Sequence, residues 1–204
     1  MKIVNRSIVV LSVVFAGLLI AGAGVASAQD VYKVNYFDFN APTLGGFPVP
    51  DATVHIDNPG LTYGNLCAMI YVFAADQQLT ECCGCVETHN GLRRLSVRTN
   101  LTANPLTGVV PFSGVIKVVS AAVNNSPCDP TSNVTPKANL RVWATHIQPG
   151  TAFGSFGGLI WPVTETESSD STLGATELAN LQAQCSFINI LGSGAGVCTC
   201  GTGD

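Results

Sequence analysis

The spacing of apolar and polar residues divides the chain into segments of different kinds. It begins with Lys2 and Arg6, runs apolar from Ile8 to Ile20, and passes through small residues to Ala26-Ser27-Ala28. Basic, then apolar, then A-x-A is the order of a secretory signal peptide, so cleavage is expected after Ala28. The rival reading is a membrane anchor, but the 13-residue run falls short of the roughly 20 residues needed to cross a bilayer. No cysteine follows the run to carry a lipid, and the Ala- and Gly-rich leader has a bacterial character.

Past the leader the patterns are of β type. VYKVNYFDFN, from Val31, is rich in Val, Tyr and Phe, and is broken by Pro42, Gly45, Gly46, Pro48 and Pro50. It predicts an extended arm on a stiff connection. ATVHID at 52–57 alternates and stops at Asn58-Pro59-Gly60, a strong turn signal. The segment 66–74 has no polar face and predicts a central strand covered on both sides. It continues through an acidic turn into the cysteines of CAMIYVFAADQQLTECCGC, which predict a disulfide knot.

Asn90-Gly91 marks a tight turn. After it, Leu95, Val97, Thr99 and Leu101 alternate with Arg94, Ser96, Arg98 and Asn100, as in a half-buried strand. GVIKVVSA at 114–121 is the next strand, and in NLRVWATHI at 139–147 Leu140, Val142 and Ala144 stand opposite Arg141, Trp143 and Thr145. A Gly-rich bend at 154–158 leads to LIWPVTETE, a last strand placed near an edge because Pro162 has no N–H for a ladder. Only the C-terminal segment has helical period: Thr176 serves as N-cap, Glu177 lies in the first turn, Leu178, Leu181, Cys185 and Ile188 share a face, and Gly192 stops it.

These seven strands, with no helix between successive ones, predict an all-β fold: an antiparallel immunoglobulin-like β-sandwich with one C-terminal helix, stabilised by disulfides. A closed barrel or jelly roll is the alternative. The expected divisions are a signal peptide (1–28), an arm and linker (29–50), a sandwich (51–170), and a helix with a Cys/Gly-rich tail packed on it (171–204).

Composition narrows the class of protein. Without the leader, 176 residues remain, enough for one domain with its own core. Seven basic against 13 acidic residues argue against nucleic acid or an anionic membrane as partner. Charged residues are only 11% of the chain, against about 25% in ordinary soluble domains. Such a surface sticks readily to itself or to a partner, although exported monomers can carry it too.

All eight cysteines, Cys67, Cys82, Cys83, Cys85, Cys128, Cys185, Cys198 and Cys200, follow the leader. An even number in an exported chain reads as up to four disulfides. Spacing favours Cys185 with Cys198 or Cys200, and the Cys82–Cys85 cluster with Cys67 or Cys128. The rival is a metal shell built from Cys82, Cys83, Cys85 and His89 with Cys198 and Cys200. Its spacing is not that of a zinc ribbon, and the export signal favours disulfides, so no metal or other cofactor is expected. No C-x-x-C-H haem motif occurs, and Cys82-x-x-Cys85 lacks the βαβ setting of a thioredoxin site.

No catalytic constellation emerges, and no enzyme is expected. His55, His89 and His146 are scattered, no G-x-S-x-G elbow is present, and Gly192, Gly194 and Gly196 follow a helix instead of opening one. Glu165, Glu167 and Asp170 could form an acid pair or calcium loop, but read first as the solvated end of a strand. Tyr63, Trp143 and Trp161 are candidates for stacking on sugar rings, with packing as their ordinary role.

On this pattern of an exported, charge-poor, cysteine-containing β-sandwich, the chain resembles subunits of bacterial extracellular filaments and pili. In such subunits an N-terminal arm adds a strand to a neighbour. The resemblance implies a self-assembling structural protein, secreted or at the cell surface, with Val31, Tyr32, Val34, Tyr36, Phe37 and Phe39 as the assembly arm. The alternatives are a module binding a surface glycan or protein, and an exported redox or metal protein using its cysteine clusters.

Overall fold

The computed structural model describes residues 30–38, 50–102, 110–124, 128–132, 134–148, 152–153, 159–160, 162–191 and 200. The leader, Phe39, most of the Pro/Gly connection, the 154–158 bend, Trp161, Gly192 and Cys198 lie outside the described residues. In chain order the strands are β1 (Tyr32–Asp38), β2 (Thr53–Asp57), β3 (Leu66–Ala74), β4 (Leu79–Glu87), β5 (Leu92–Ser96) and β6 (Ser113–Ala122). There follow β7 (Arg141–Ile147), β8 (Ala152–Phe153), β9 (Leu159–Ile160), β10 (Val163–Glu167), β11 (Ser169–Ser171) and one helix, α1 (Ala175–Ile190).

The strands form two antiparallel sheets, of order β11-β1-β6-β3-β4 and β10-β7-β2-β5, with β8 and β9 as a separate short pair. The sheets face each other across one core. Phe37, Ala68, Ile70, Val72, Ile116 and Val118 of the first sheet meet Val54, Ile56, Leu95, Val142 and Ala144 of the second. The first sheet is apolar on its other face as well: Tyr32, Cys67, Met69, Tyr71, Cys82 and Val119 pack with Leu181, Cys185 and Ile188 of α1. The unbroken apolar run of β3 follows from this position, since it lies between β6 and β4 with cover on both faces.

The alternation expected in β7 is present, with Val142 and Ala144 buried and Arg141 exposed, and β10 lies at a sheet edge. The turns fall where the sequence marks them. Gly60 (φ 72°) and Asn90 (φ 60°) adopt left-handed conformations, and the Asn58 side chain donates to the carbonyls of Gly64 and Glu87, both at 3.1 Å.

Four expectations are corrected. First, the cysteine cluster is no knot. It lies in a nine-residue strand, β4, paired in register with β3 from Leu66↔Glu87 to Tyr71↔Cys82. Gly84 belongs there because the Cys128 backbone crosses over it: a Cβ at this position would stand 2.0 Å from the Cys128 carbonyl oxygen. Second, the alternating strand stops at Ser96, and Val97–Leu101 form a π-turn that buries Val97 and Leu101. Polar side chains redirect the backbone here. The Ser96 hydroxyl accepts from Thr99 N at 3.0 Å, Asn100 Oδ1 from Ser96 N at 2.8 Å, and Asp51 from Arg98 N at 3.0 Å.

Third, the helix begins one residue before Thr176. Gly174 is its cap and makes no side-chain cap bond, while Glu177 lies in the first turn as expected and Leu181, Cys185 and Ile188 are buried. Fourth, the disulfides are Cys67–Cys128, Cys82–Cys185 and Cys85–Cys200, and Cys83 is also disulfide-bonded. The cluster therefore reaches α1 and the tail, and Cys67 and Cys128 bond to each other. Side-chain parity is the reason: Cys82 faces the helix, whereas Cys83 and Cys85 face the inter-sheet core. The sequence separations of 61, 103 and 115 correspond, by loop-closure entropy, to about 4–5 kcal/mol per bond.

Candidate functional site

Three places bring together residues of functional interest: the seat of β1, the cysteine strand, and the outer face of the second sheet.

β1 lies inside the first sheet. It pairs with β6 over seven positions, Tyr32↔Val119 to Asp38↔Ser113, and with β11 from Tyr32↔Ser171 to Val34↔Ser169. The candidate arm residues divide by face and depth: Val31, Tyr32 and Phe37 are buried, Val34 is half-buried, and Tyr36 is exposed.

The polar residues of β1 were missed in the sequence and hold it in place. Lys33 is 6% exposed, and its Nζ donates to Asp30 Oδ1 at 2.6 Å and to the Asp170 carboxylate. Burial opposes its charge, but these hydrogen bonds prevail and hold its pKa above the ordinary lysine value. Asn35 Nδ2 donates to Thr166 O at 3.2 Å and Ser168 Oγ at 3.3 Å. His146 Nε2 lies 2.6 Å from the Thr166 hydroxyl, and its ring stacks on Tyr36 with centroids 4.0 Å apart. Burial lowers the His146 pKa.

The helix side adds a second latch. Glu177 Oε1 accepts from the Tyr32 hydroxyl at 2.9 Å and from Lys117 Nζ at 2.7 Å. The Lys117 bond is the main reason the Glu177 carboxyl titrates below its usual range, helped by Tyr32 and opposed by burial. In Tyr32, burial first and Glu177 second push the phenol pKa far up.

In the cysteine strand, parity disposes of the ligand set Cys82, Cys83, Cys85 and His89. Cys82 bonds Cys185 on the helix side, and the His89 ring stacks on Tyr63 at 5.5 Å. What does converge is a smaller group: the sulfurs of Cys83, Cys85 and Cys200 lie within 4.8 Å of one another. Just beyond, where the chain turns from β4 into β5 and so from one sheet to the other, Arg93 Nε donates to Glu87 Oε1 at 2.7 Å and Arg93 NH2 to Val86 O at 2.9 Å. This pair is almost wholly buried, with side chains 6% and 0% exposed.

The aromatic candidates occupy different settings. Trp143 lies across from His55 in the β7–β2 register and from Glu167 in β10, with the His55 ring 5.3 Å away. Arg94 faces His55 from β5. Burial and then Arg94 lower the His55 pKa, and Glu165 partly offsets them. Tyr63, by contrast, is 95% exposed in the loop after β2. Glu165 and Glu167 are exposed along edge strand β10, and Asp170 is committed to Lys33.

The chain matches no protein-family model, no curated protein and no solved structure. Among the described residues, no helix is long and apolar enough to cross a membrane.

Proposed function

We propose that this is a secreted structural subunit, an immunoglobulin-like sandwich that assembles outside the cell by passing its N-terminal strand to a neighbouring copy. The observation that carries this reading is the seat of β1. A terminal strand fills the gap between β6 and β11, burying Val31, Tyr32 and Phe37, and is joined to the body through residues 39–49, which include Pro42 and Pro48. Those 11 residues can span at most about 36–40 Å when extended, enough to reach an adjoining subunit. A strand moved to an identical seat keeps every contact it makes at home, so exchange carries little enthalpic penalty. Vacating the seat leaves the seven-position edge of β6 open to β-augmentation. The disulfides of the body, none of which involves β1, hold the acceptor together and are compatible with an oxidising, exported setting.

Sedimentation of the mature protein over a range of concentrations tests this reading. Assemblies that grow with concentration and vanish when residues 29–41 are deleted support it. A protein that stays monomeric throughout counts against it.

A second reading rests on Trp143. On the outer face of the second sheet, the stacked Trp143 and His55, with Arg94 and Glu167 beside them, form an aromatic station with polar flanks, the form of a glycan- or protein-binding face. Trp143→Ala should then weaken binding to a glycan array and leave assembly unchanged. Loss of assembly in that variant, with glycan binding intact, excludes this reading.

A further inference from the structure

Exposed apolar side chains gather at one end of the first sheet. There Asp38, the last residue of β1, pairs with Ser113, and Ser113 O accepts from Ala75 N at 3.1 Å in the turn between β3 and β4. Phe112, one residue before β6, is 55% exposed, and at the end of α1 Phe187, Ile190 and Leu191 are 58%, 83% and 42% exposed. A groove of about 400 Å3 runs between that turn (Gln77, Gln78, Leu79) and the helix (Ala183, Phe187, Ile188). No residue from Leu178 to Leu191 is charged. Apolar surface gathered in this way marks a place of contact.

We propose, building on the strand-passing reading above, that the neighbour which takes up β1 sits on this end of the molecule and presents the same end of its own, so that the Phe187–Leu191 face meets its copy. The length of the linker and the places where it starts and stops lead to this arrangement. β1 and β3 are both antiparallel to β6, so both run toward the Ser113 end. β2 runs the other way: Asn58, just after it, donates to Glu87 O at 3.1 Å, and Glu87 pairs with Leu66 at the far end of β3. The start of β2 is therefore at the Ser113 end as well. A donated strand leaves one copy there and reaches its seat in the other at the Asp38 position, through residues 39–49, which span at most about 36–40 Å. In a head-to-tail stack the linker would have to follow the acceptor's sheet for about 34 Å, the length of the ten-residue β6, and then cross the contact between subunits, which is beyond its reach. Two copies that face each other with their Ser113 ends leave the linker only the gap to cross. A contact of this kind is isologous, each face meeting itself across a two-fold axis.

Sedimentation of the full mature chain and of two variants, Ile190→Lys and Ile190→Glu, tests the contact. Their urea midpoints should match wild type, because a side chain 83% exposed adds little to the folded monomer. Each variant alone should associate at least tenfold more weakly than wild type, and an equimolar mixture should recover most of that loss, since a face that meets itself then sets Lys against Glu. Weakening in both variants with no recovery in the mixture overturns the self-facing arrangement. Unchanged association in each variant alone overturns the site, and strand passing still stands if assembly continues to require residues 29–41. Assembly that survives deletion of residues 29–41 but is lost in both Ile190 variants supports the contact and refutes strand passing. A wild-type chain that stays monomeric overturns both, and one that as a monomer binds phosphatidylcholine vesicles, where Ile190→Lys does not, gives the face to lipid and overturns the proposal.

Discussion

Removing β1 from its seat is the perturbation with the largest expected effect. Phe37 is 1% exposed and lies against Gly114, where a Cβ would stand 2.8 Å from the Phe37 ring. Nothing at that closely packed position can collapse into the space left by a truncated ring, so Phe37→Ala should lose about 3–5 kcal/mol. Deleting residues 29–41 removes this contact together with the burial of Val31 and Tyr32, the Lys33 ion pairs and the seven pairings with β6. Its effect should exceed that of the point variant, against a total stability of about 5–15 kcal/mol for a typical domain. Urea unfolding, followed by tryptophan fluorescence with disulfides intact, measures both. The deletion variant should unfold at much lower urea, and a synthetic 29–41 peptide supplied in trans should restore the midpoint. At 100 times its dissociation constant the peptide adds about 2.7 kcal/mol, and the same peptide carrying Phe37→Ala should restore far less. A deletion variant with an unchanged midpoint would refute the reasoning, because β1 would then not belong to the folded body.

Other predictions concern the groups that hold the sheets together. Arg93→Met should cost about 3–5 kcal/mol because it leaves Glu87 buried beside an apolar group, and the double variant Glu87→Gln/Arg93→Met should recover much of that loss; additive losses in a double-mutant cycle would contradict it. Gly84→Ala forces a methyl group against the Cys128 carbonyl and should cost about 1–3 kcal/mol or more, with a near-wild-type melting temperature as the opposing result. His146 has a depressed folded-state pKa, so the unfolded chain binds the proton first. Its contribution is therefore complete above about pH 6.5, the unfolded value, and is lost as pH falls through the lower folded value. Stability measured from pH 7.5 to 5 should fall with acidification, and His146→Phe should flatten that slope; an unchanged slope would assign the loss to other groups.

The parts of this fold that could be read in the sequence are those determined by local pattern. An unbroken apolar run placed β3 between two covering layers, and strict alternation placed β7 with Val142 and Ala144 inward. Asn58-Pro59-Gly60 and Asn90-Gly91 turn because their residues tolerate or favour the required backbone. What stayed hidden depends on partners distant in sequence. Leu95, Val97, Thr99 and Leu101 alternate as well as any strand, yet backbone hydrogen bonds donated to Asp51 and Asn100 bend the chain at Ser96 and bury Val97 and Leu101 on one side of a turn. Lys33 and Arg93 gave no signal, because a single-sequence pattern cannot show that Asp170 and Glu87 are their partners. β4 was overlooked because CCGC has no β-branched residue, although the parity of Cys82 against Cys83 and Cys85 already required bonds on two faces.

Strand donation is tested most directly by asking whose β1 occupies each seat. Mature protein labelled with 15N is mixed with unlabelled protein, assembled at high concentration and treated with a carbodiimide, which joins contacting amines and carboxylates without a spacer. Lys33 touches Asp170, linking β1 to β11, and Lys117 lies 2.7 Å from Glu177, linking β6 to α1 within the body. The account predicts Lys33–Asp170 cross-links of mixed isotope in the assembled fraction, while Lys117–Glu177 cross-links stay within one isotope. Assembled material whose Lys33–Asp170 cross-links are all of one isotope would contradict it.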